Sequence, residues 1–213
     1  MAKKAESTLK NMLLSLTLIA FVASMTLAFV NNVTKAPIEK VKQQKISDAV
    51  KSVLSAEMPD GSVAPIYKNY VKDSVVLQVK KGDKVIDQTI YRYVGLDADG
   101  NMVGKAVESF SNTGFGGKIR AMVGFDSEGN ILGYEILESS ETPGLGAKAD
   151  KWFQKDGKGN VIGMNPSTNN MTVVKDGGEV DAITGSTITS RAFCDLVATA
   201  YEAFKIEKGE TGI

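Results

Sequence analysis

The period of the hydrophobic pattern changes along the chain. Between Asn11 and Thr34 there is no charged residue, and from Met12 to Val30 only Ser15, Thr17, Ser24 and Thr26 are polar. As a helix rising ~1.5 Å per residue, that run reaches roughly 28 Å, close to the ~30 Å hydrocarbon core of a bilayer. It predicts a membrane span over residues 11–34. A secretory signal has a shorter apolar stretch and a small-residue cleavage site, for which only Thr26-Leu27-Ala28 offers a pattern, so an uncleaved anchor is the stronger reading. Lysines flank the run on both sides, at positions 3, 4 and 10 and at 35, 40, 42 and 45, and their count does not set the orientation. A short basic tail before a first span usually stays inside while a long following domain crosses regardless, which favours an outward-facing domain.

Beyond Pro37, Ile46, Val50, Val53 and Leu54 form one stripe of an amphipathic helix, expected to end near Met58-Pro59-Asp60-Gly61. The period then becomes two. Val75–Val79 and Val85–Val94 alternate around Lys81-Gly82-Asp83, a hairpin signal. An internal echo follows, GLDADGNMVGKAVES at Gly95–Ser109 and GFDSEGNILGYEILES at Gly124–Ser139, offset by twenty-nine residues. Each copy reads as strand, Asp-Gly-Asn turn, strand, and two hairpins in succession imply an antiparallel sheet. Helical spacing returns in Arg191–Phe204 through Phe193, Leu196, Val197, Ala200, Tyr201 and Phe204. The expected class is α+β, divided into a tail (1–10), a transmembrane helix (11–34), a connecting helix (35–58), an extracytoplasmic domain (59–207) and a C-terminal tail (208–213).

Composition narrows the chemistry. Among 213 residues there are 25 Lys+Arg, 25 Asp+Glu, one Cys and no His. One thiol cannot form an intrachain disulfide or by itself hold an iron–sulfur cluster or structural zinc. Without histidine there is no Ser-His-Asp machinery and no imidazole haem ligand. A formal net charge of zero gives no electrostatic footprint for nucleic acid. The acidic turns suggest calcium, but an EF-hand register with Asp97 and Asp99 at loop positions three and five puts Gly95 at the first ligand and Ala106 at the twelfth. Asp, Gly and Asn are what tight turns select. Cys194 lies between apolar neighbours on the last helix and reads as a small core residue.

Three polar segments remain. Thr113-Gly114-Phe115-Gly116-Gly117-Lys118 leads into the strand Ile119–Phe125, where glycines mark a bulge or a close approach to the backbone. Glu141-Thr142-Pro143-Gly144-Leu145-Gly146 sets a carboxylate and a hydroxyl beside a Pro-Gly turn. Asp181-Ala182-Ile183-Thr184-Gly185-Ser186-Thr187-Ile188-Thr189-Ser190 places five hydroxyls and a glycine at the mouth of the last helix. One hydroxyl suffices as a cap, and the others, with the helix dipole, make a seat for phosphate. No Lys follows the glycine, so this is not a P-loop.

That last run resembles the flavinylation motif of the FMN-binding domain family found in the G subunit of Rnf electron-transport complexes and the C subunit of sodium-translocating NADH:quinone reductases. The motif's ordered Asp, Ser/Thr, Gly, small residue and Thr fall on Asp181, Thr184, Gly185, Ser186 and Thr187, with Ser186 where the family usually has Ala. The glycine loop, the strand–turn–strand after it, Glu141–Gly146 and the single N-terminal span resemble the family in the same order, and the length is more like that of the Rnf subunit. The resemblance implies FMN joined by a phosphoester to Thr187 through a separate flavin transferase. It implies that Asp181, Thr184 and Ser186 are read by that transferase or hold the loop, and that Glu141, Thr142, Leu145 and Gly146 line the flavin, with Phe115 or Trp152 as an aromatic neighbour. It further implies electron relay with other subunits of an inner-membrane complex that couples ferredoxin:NAD chemistry to ion movement. The rivals are the quinone-reductase subunit and a non-redox membrane-anchored scaffold module, whose hydroxyl cluster would only cap the helix.

Overall fold

A computed structural model of the chain describes residues 8–58, 61–81 and 84–206. Its contacts divide into two units, residues 1–45 and 46–213, with the boundary inside the first helix, α1 (Leu9–Val53). In the first unit the apolar side chains of α1 are exposed, and an 18-residue window has a mean hydropathy of 2.3. The four polar residues of the run satisfy themselves. Ser15 donates to the Met12 carbonyl, Thr17 to Leu13, Ser24 to Ala20 and Thr26 to Val22, so none needs water inside hydrocarbon. Pro37 lies inside α1 rather than opening a separate helix.

In the second unit the predicted stripe of Ile46, Val50, Val53 and Leu54 is buried together with Ala49, against Tyr93, Ala106, Met122 and Leu137, with Leu54 just beyond the end of α1. The helix stops at Val53, short of the expected end near Met58, because the next residues find a strand partner. β1 (Ser55–Glu57) pairs antiparallel with β2 (Val63–Pro65), and the Ile66 amide donates to the Leu54 carbonyl. Pro59 and Asp60 lie outside the described residues, as do most or all of the expected terminal tails.

The main sheet is an antiparallel meander of β3 (Asn69–Lys81), β4 (Lys84–Leu96), β5 (Met102–Gly114), β6 (Gly117–Asp126) and β7 (Ile131–Ser139). β3, β4 and β6 extend past the runs Val75–Val79, Val85–Val94 and Ile119–Phe125 read from the sequence, and the turn residues Gly82 and Asp83 lie outside the described residues. The echoed segments are the β4–β5 and β6–β7 hairpins. In each, the aspartate holds the turn: Asp97 accepts from the backbone of Asp99 and Asn101, and Asp126 from Glu128 and Asn130. The echo has a packing reason too. Gly95 pairs with Gly104, and Gly124 with Gly133. A Cβ on Gly95 would press on Tyr67 and Leu54, one on Gly104 would strike the Phe125 carbonyl, and one on Gly124 would overlap the Val53 carbonyl. The Gly124–Gly133 pair is the floor on which Val53 at the end of α1 rests, and the Gly95–Gly104 pair lies against Leu54, the residue after it.

The opposite face carries the larger core. Val107, Ala121, Val123, Phe125 and Tyr134 meet Phe193, Leu196, Val197, Ala200 and Phe204 of the last helix, α3 (Thr187–Lys205). Phe193 also stacks on Phe153, with centroids 4.1 Å apart. At the far end of α3, Arg92 donates to the carbonyls of Ala203 and Ile206 while forking onto Asp73, and Lys105 donates to the Phe204 carbonyl at 2.9 Å. Two buried cations thus complement the negative end of the helix dipole. Between β7 and α3 the chain has a short helix, α2 (Ala149–Trp152), and then mostly irregular backbone held by side chains, with Asn165, Asn169, Asn170 and Glu179 bonding one another and nearby backbone.

Candidate functional site

Three segments far apart in sequence converge at the start of α3. The first is the β5–β6 connection, where Gly114 pairs with Gly117 across the Phe115-Gly116 turn, just after a register shift between Ser111 and Gly114, and Phe115 projects 70 % exposed. Gly116 needs to be a glycine, because a Cβ there would strike the Ser140 carbonyl. The second follows β7. Thr142-Pro143-Gly144-Leu145 turns with Gly144 at φ +78°, and the amides of Leu145 and Ala147 both donate to the Thr142 carbonyl. The third is the hydroxyl run. Its turn Ile183-Thr184-Gly185-Ser186 closes through the Ser186 amide on the Ile183 carbonyl, with Gly185 at φ +78°. Ser190 braces it from within the helix, accepting from the Ile183 amide at 2.9 Å and donating to the Ser186 carbonyl at 3.0 Å.

A cavity of about 360 Å³ lies between them, lined by Phe115, Glu141, Thr142, Leu145, Gly146, Gly185, Ser186, Thr187 and Ile188. That volume is in the range of small-molecule sites. Phe115, Leu145 and Ile188 are exposed apolar side chains on its wall, suited to a flat aromatic ligand. Its base is polar and buried. Glu141 accepts from the Gly116 amide at 3.1 Å and from the Thr189 hydroxyl at 2.8 Å, and the Ser186 and Thr189 hydroxyls lie 2.7 Å apart. Gly114 and Gly146 leave room for this carboxylate, since a Cβ on either would collide with it. The start of α3 is open: Ser186 stands at the capping position, yet no side chain caps the helix and no acidic residue occupies the first turn. The first-turn N–H groups and the positive end of the dipole are therefore available to an anion.

Of the residues singled out from sequence, Glu141, Thr142, Leu145, Gly146, Gly185, Ser186 and Thr187 line the cavity, and Phe115 joins them. Asp181 and Thr184 do not. Both are exposed. Trp152 does not line the cavity either. Its indole N–H donates to the Asp181 carbonyl at 2.8 Å, an approach that the absent side chain of Gly159 permits, so it braces the loop from behind. Thr189 carried no assigned role in the sequence, although it is the fully buried partner of Glu141; a helix-facing hydroxyl two residues after Thr187 was the available signal. A second hollow, 660 Å³ and widely open, lies around Glu57, Asp126, Asn130 and Lys155 and contains none of the motif residues.

The fold and this cavity define a flavin-nucleotide module: the FMN-binding domain family matches residues 114–202, from the glycine loop through most of α3. Similarity extends well beyond that domain. The chain is 31 % identical over 208 residues to the G subunit of the ion-translocating oxidoreductase complex of Aliivibrio fischeri, covering 96 % of this chain and 94 % of that one. It is 31 % identical over 198 residues to the G subunit of the Na(+)-translocating ferredoxin:NAD(+) oxidoreductase complex of Acetobacterium woodii, covering 90 % and 89 %. The chain belongs to the G-subunit family of ion-translocating oxidoreductase complexes. Among solved structures, NqrC of Shewanella oneidensis aligns with a TM-score of 0.40 and 20 % identity over 60 % of this chain and 63 % of its own, a likeness too low to add to the assignment.

Proposed function

We propose that the chain is the membrane-anchored, electron-carrying G subunit of an ion-translocating oxidoreductase complex of the ferredoxin:NAD type, and that FMN is joined to it by a phosphoester at Thr187. The observation that carries this reading is the convergence of Thr187 with Glu141–Gly146 and Phe115 on one cavity, although they are separated by up to seventy-two residues of sequence. The residues fit the cofactor. An uncapped helix start and the αL turn at Gly185 suit the phosphate, the buried polar base suits a polyol chain, and the exposed apolar wall suits the ring system. Thr187, the first residue of α3, is half-buried at the cavity edge, where a phosphodiester on its oxygen would rest its single charge against the helix N-terminus.

When bound, FMN supplies the redox chemistry, and the protein has to position it and set its electrostatics. No general base is required of this chain. Asp181 and Thr184 are exposed, which suits recognition by the flavin transferase that would install the cofactor, while Trp152, Ser190 and the Ile183–Ser186 turn hold the loop in shape. The span in residues 11–34 has no ionisable side chain, so ion movement belongs to other subunits. Intact-mass measurement of chain matured with the transferase checks the attachment. The expected result is an added mass equal to FMN less water, lost in Thr187→Ala; an unmodified chain, or an adduct that survives the substitution, overturns it. Flavin released entirely on denaturation would point to a noncovalent flavoprotein instead.

A further inference from the structure

The hydroxyl chain beneath the cavity runs in only one direction. As a carboxylate, Glu141 has no proton to give. Its Oε1 accepts from the Gly116 amide, and its Oε2 lies 2.8 Å from Thr189 Oγ1, so the single hydroxyl proton of Thr189 points at Glu141. Thr189 is fully buried, and its oxygen lies 2.7 Å from Ser186 Oγ. With the threonine proton committed, Ser186 has to be the donor in that contact. Its own proton is then committed as well, and only lone pairs remain on the side where Ser186 lines the cavity.

We propose that Ser186 is a hydrogen-bond acceptor toward FMN, oriented by Glu141 and Thr189 as positioning residues, and that it takes a hydrogen bond from a ribityl hydroxyl. This rests on the FMN reading above. A phosphate oxygen also offers only lone pairs and is repelled from an acceptor, so the phosphate is left to the backbone N–H groups at the start of α3. The chain thereby sorts the two polar parts of one ligand: the polyol toward Ser186, the anion toward the helix. Where the family usually has Ala, the extra hydroxyl does not compete for the phosphate.

The same logic specifies how to reverse the chain. In Glu141→Gln the Gly116 amide still requires an oxygen, which turns the new NH₂ toward Thr189. Thr189 then accepts, donates to Ser186, and Ser186 turns its proton to the cavity. Thr189→Val frees the serine proton by a different route, removing its acceptor. The readout is the ³¹P resonance of the protein-bound phosphodiester in the full-length, flavin-loaded chain. The expected results are an unchanged resonance in Ser186→Ala, a displaced one in Glu141→Gln and in Thr189→Val, and return to the original position when Ser186→Ala is added to either. A resonance displaced by Ser186→Ala alone, or displacements that persist without the serine hydroxyl, overturns the proposal. If the Glu141 and Thr189 variants do not fold, the ¹³C resonances of the ribityl chain decide: Ser186→Ala displaces them if Ser186 accepts from a ribityl hydroxyl, and unchanged ribityl resonances overturn the proposal. Absence of any protein-bound phosphodiester signal in the unaltered chain would instead remove the FMN assignment, and this proposal with it.

Discussion

Glu141 shows how much a single side chain owes to its surroundings. In the sequence it is a carboxylate before a Pro-Gly turn; in the fold it is a buried tie between the glycine loop and the first turn of α3. Gly114 and Gly146 make room for its carboxylate and Gly116 for the Ser140 carbonyl before it, and Gly185 is constrained differently, by its backbone at φ +78°. Gly185→Ala is expected to cost about 1–2 kcal/mol, because an L side chain resists the left-handed region. Its signature would be a lower urea midpoint with the fold otherwise intact. Cys194 makes a contrasting residue-scale case. Burial first, and the charges of Asp195 and Asp176 next, push its thiol up to about 12. The native chain keeps this proton while an unfolded thiol loses it near pH ~8.5, so the native preference is complete below that pH and declines as pH rises toward the folded value. Iodoacetamide at pH 8 should leave the native chain unlabelled and label it fully in denaturant; rapid native labelling would contradict the burial.

At the scale of elements, the two ends of α3 are held in opposite ways. Its start is left open, while Arg92 and Lys105 close its end on the carbonyls of Ala203, Phe204 and Ile206. Arg92→Met would strand the Asp73 carboxylate and two carbonyls, and the expected loss is about 3–5 kcal/mol, the scale of breaking a buried ion pair from one side. Denaturant unfolding followed by the fluorescence of the lone Trp152 measures it. The end of α1 gives a paired test. Gly124→Ala would drive a methyl into the Val53 carbonyl and is expected to cost about 1–3 kcal/mol, as overpacking does. Gly133→Ala, across the same hairpin, meets nothing nearer than 3.5 Å and should change the midpoint little. Equal effects would mean that the glycine floor does not carry α1. The β4–β5 and β6–β7 hairpins were legible from their echo and turn residues, and α3 from its spacing. The early stop of α1 was not legible, because Ser55–Glu57 becomes a strand only through residues that follow it in the chain.

Over the whole molecule, the sequence separates a stretch suited to lipid from one suited to water. The first unit exposes its apolar residues, and the second buries a two-sided sheet core. We propose the outward orientation of the second unit on the short basic tail that precedes the span. A protease added to intact spheroplasts should then digest the FMN-carrying domain, and its full protection would reverse the assignment.

The sequence by itself determined the properties that depend on neighbours along the chain: the apolar run, the paired hairpins, the last helix and the ordered motif ending at Thr187. Each rests on periodicity or turn chemistry, which are local. Only the tertiary structure decided that Asp181 and Thr184 stand outside the cavity while Thr189 lies beneath it, and that Trp152 supports the loop rather than lining the cavity. Those assignments depend on which way a side chain points once a sheet, a glycine loop and a helix start are brought together. Hydrogen bonds formed across forty-eight residues of sequence, such as that from Thr189 to Glu141, leave no periodic trace in it.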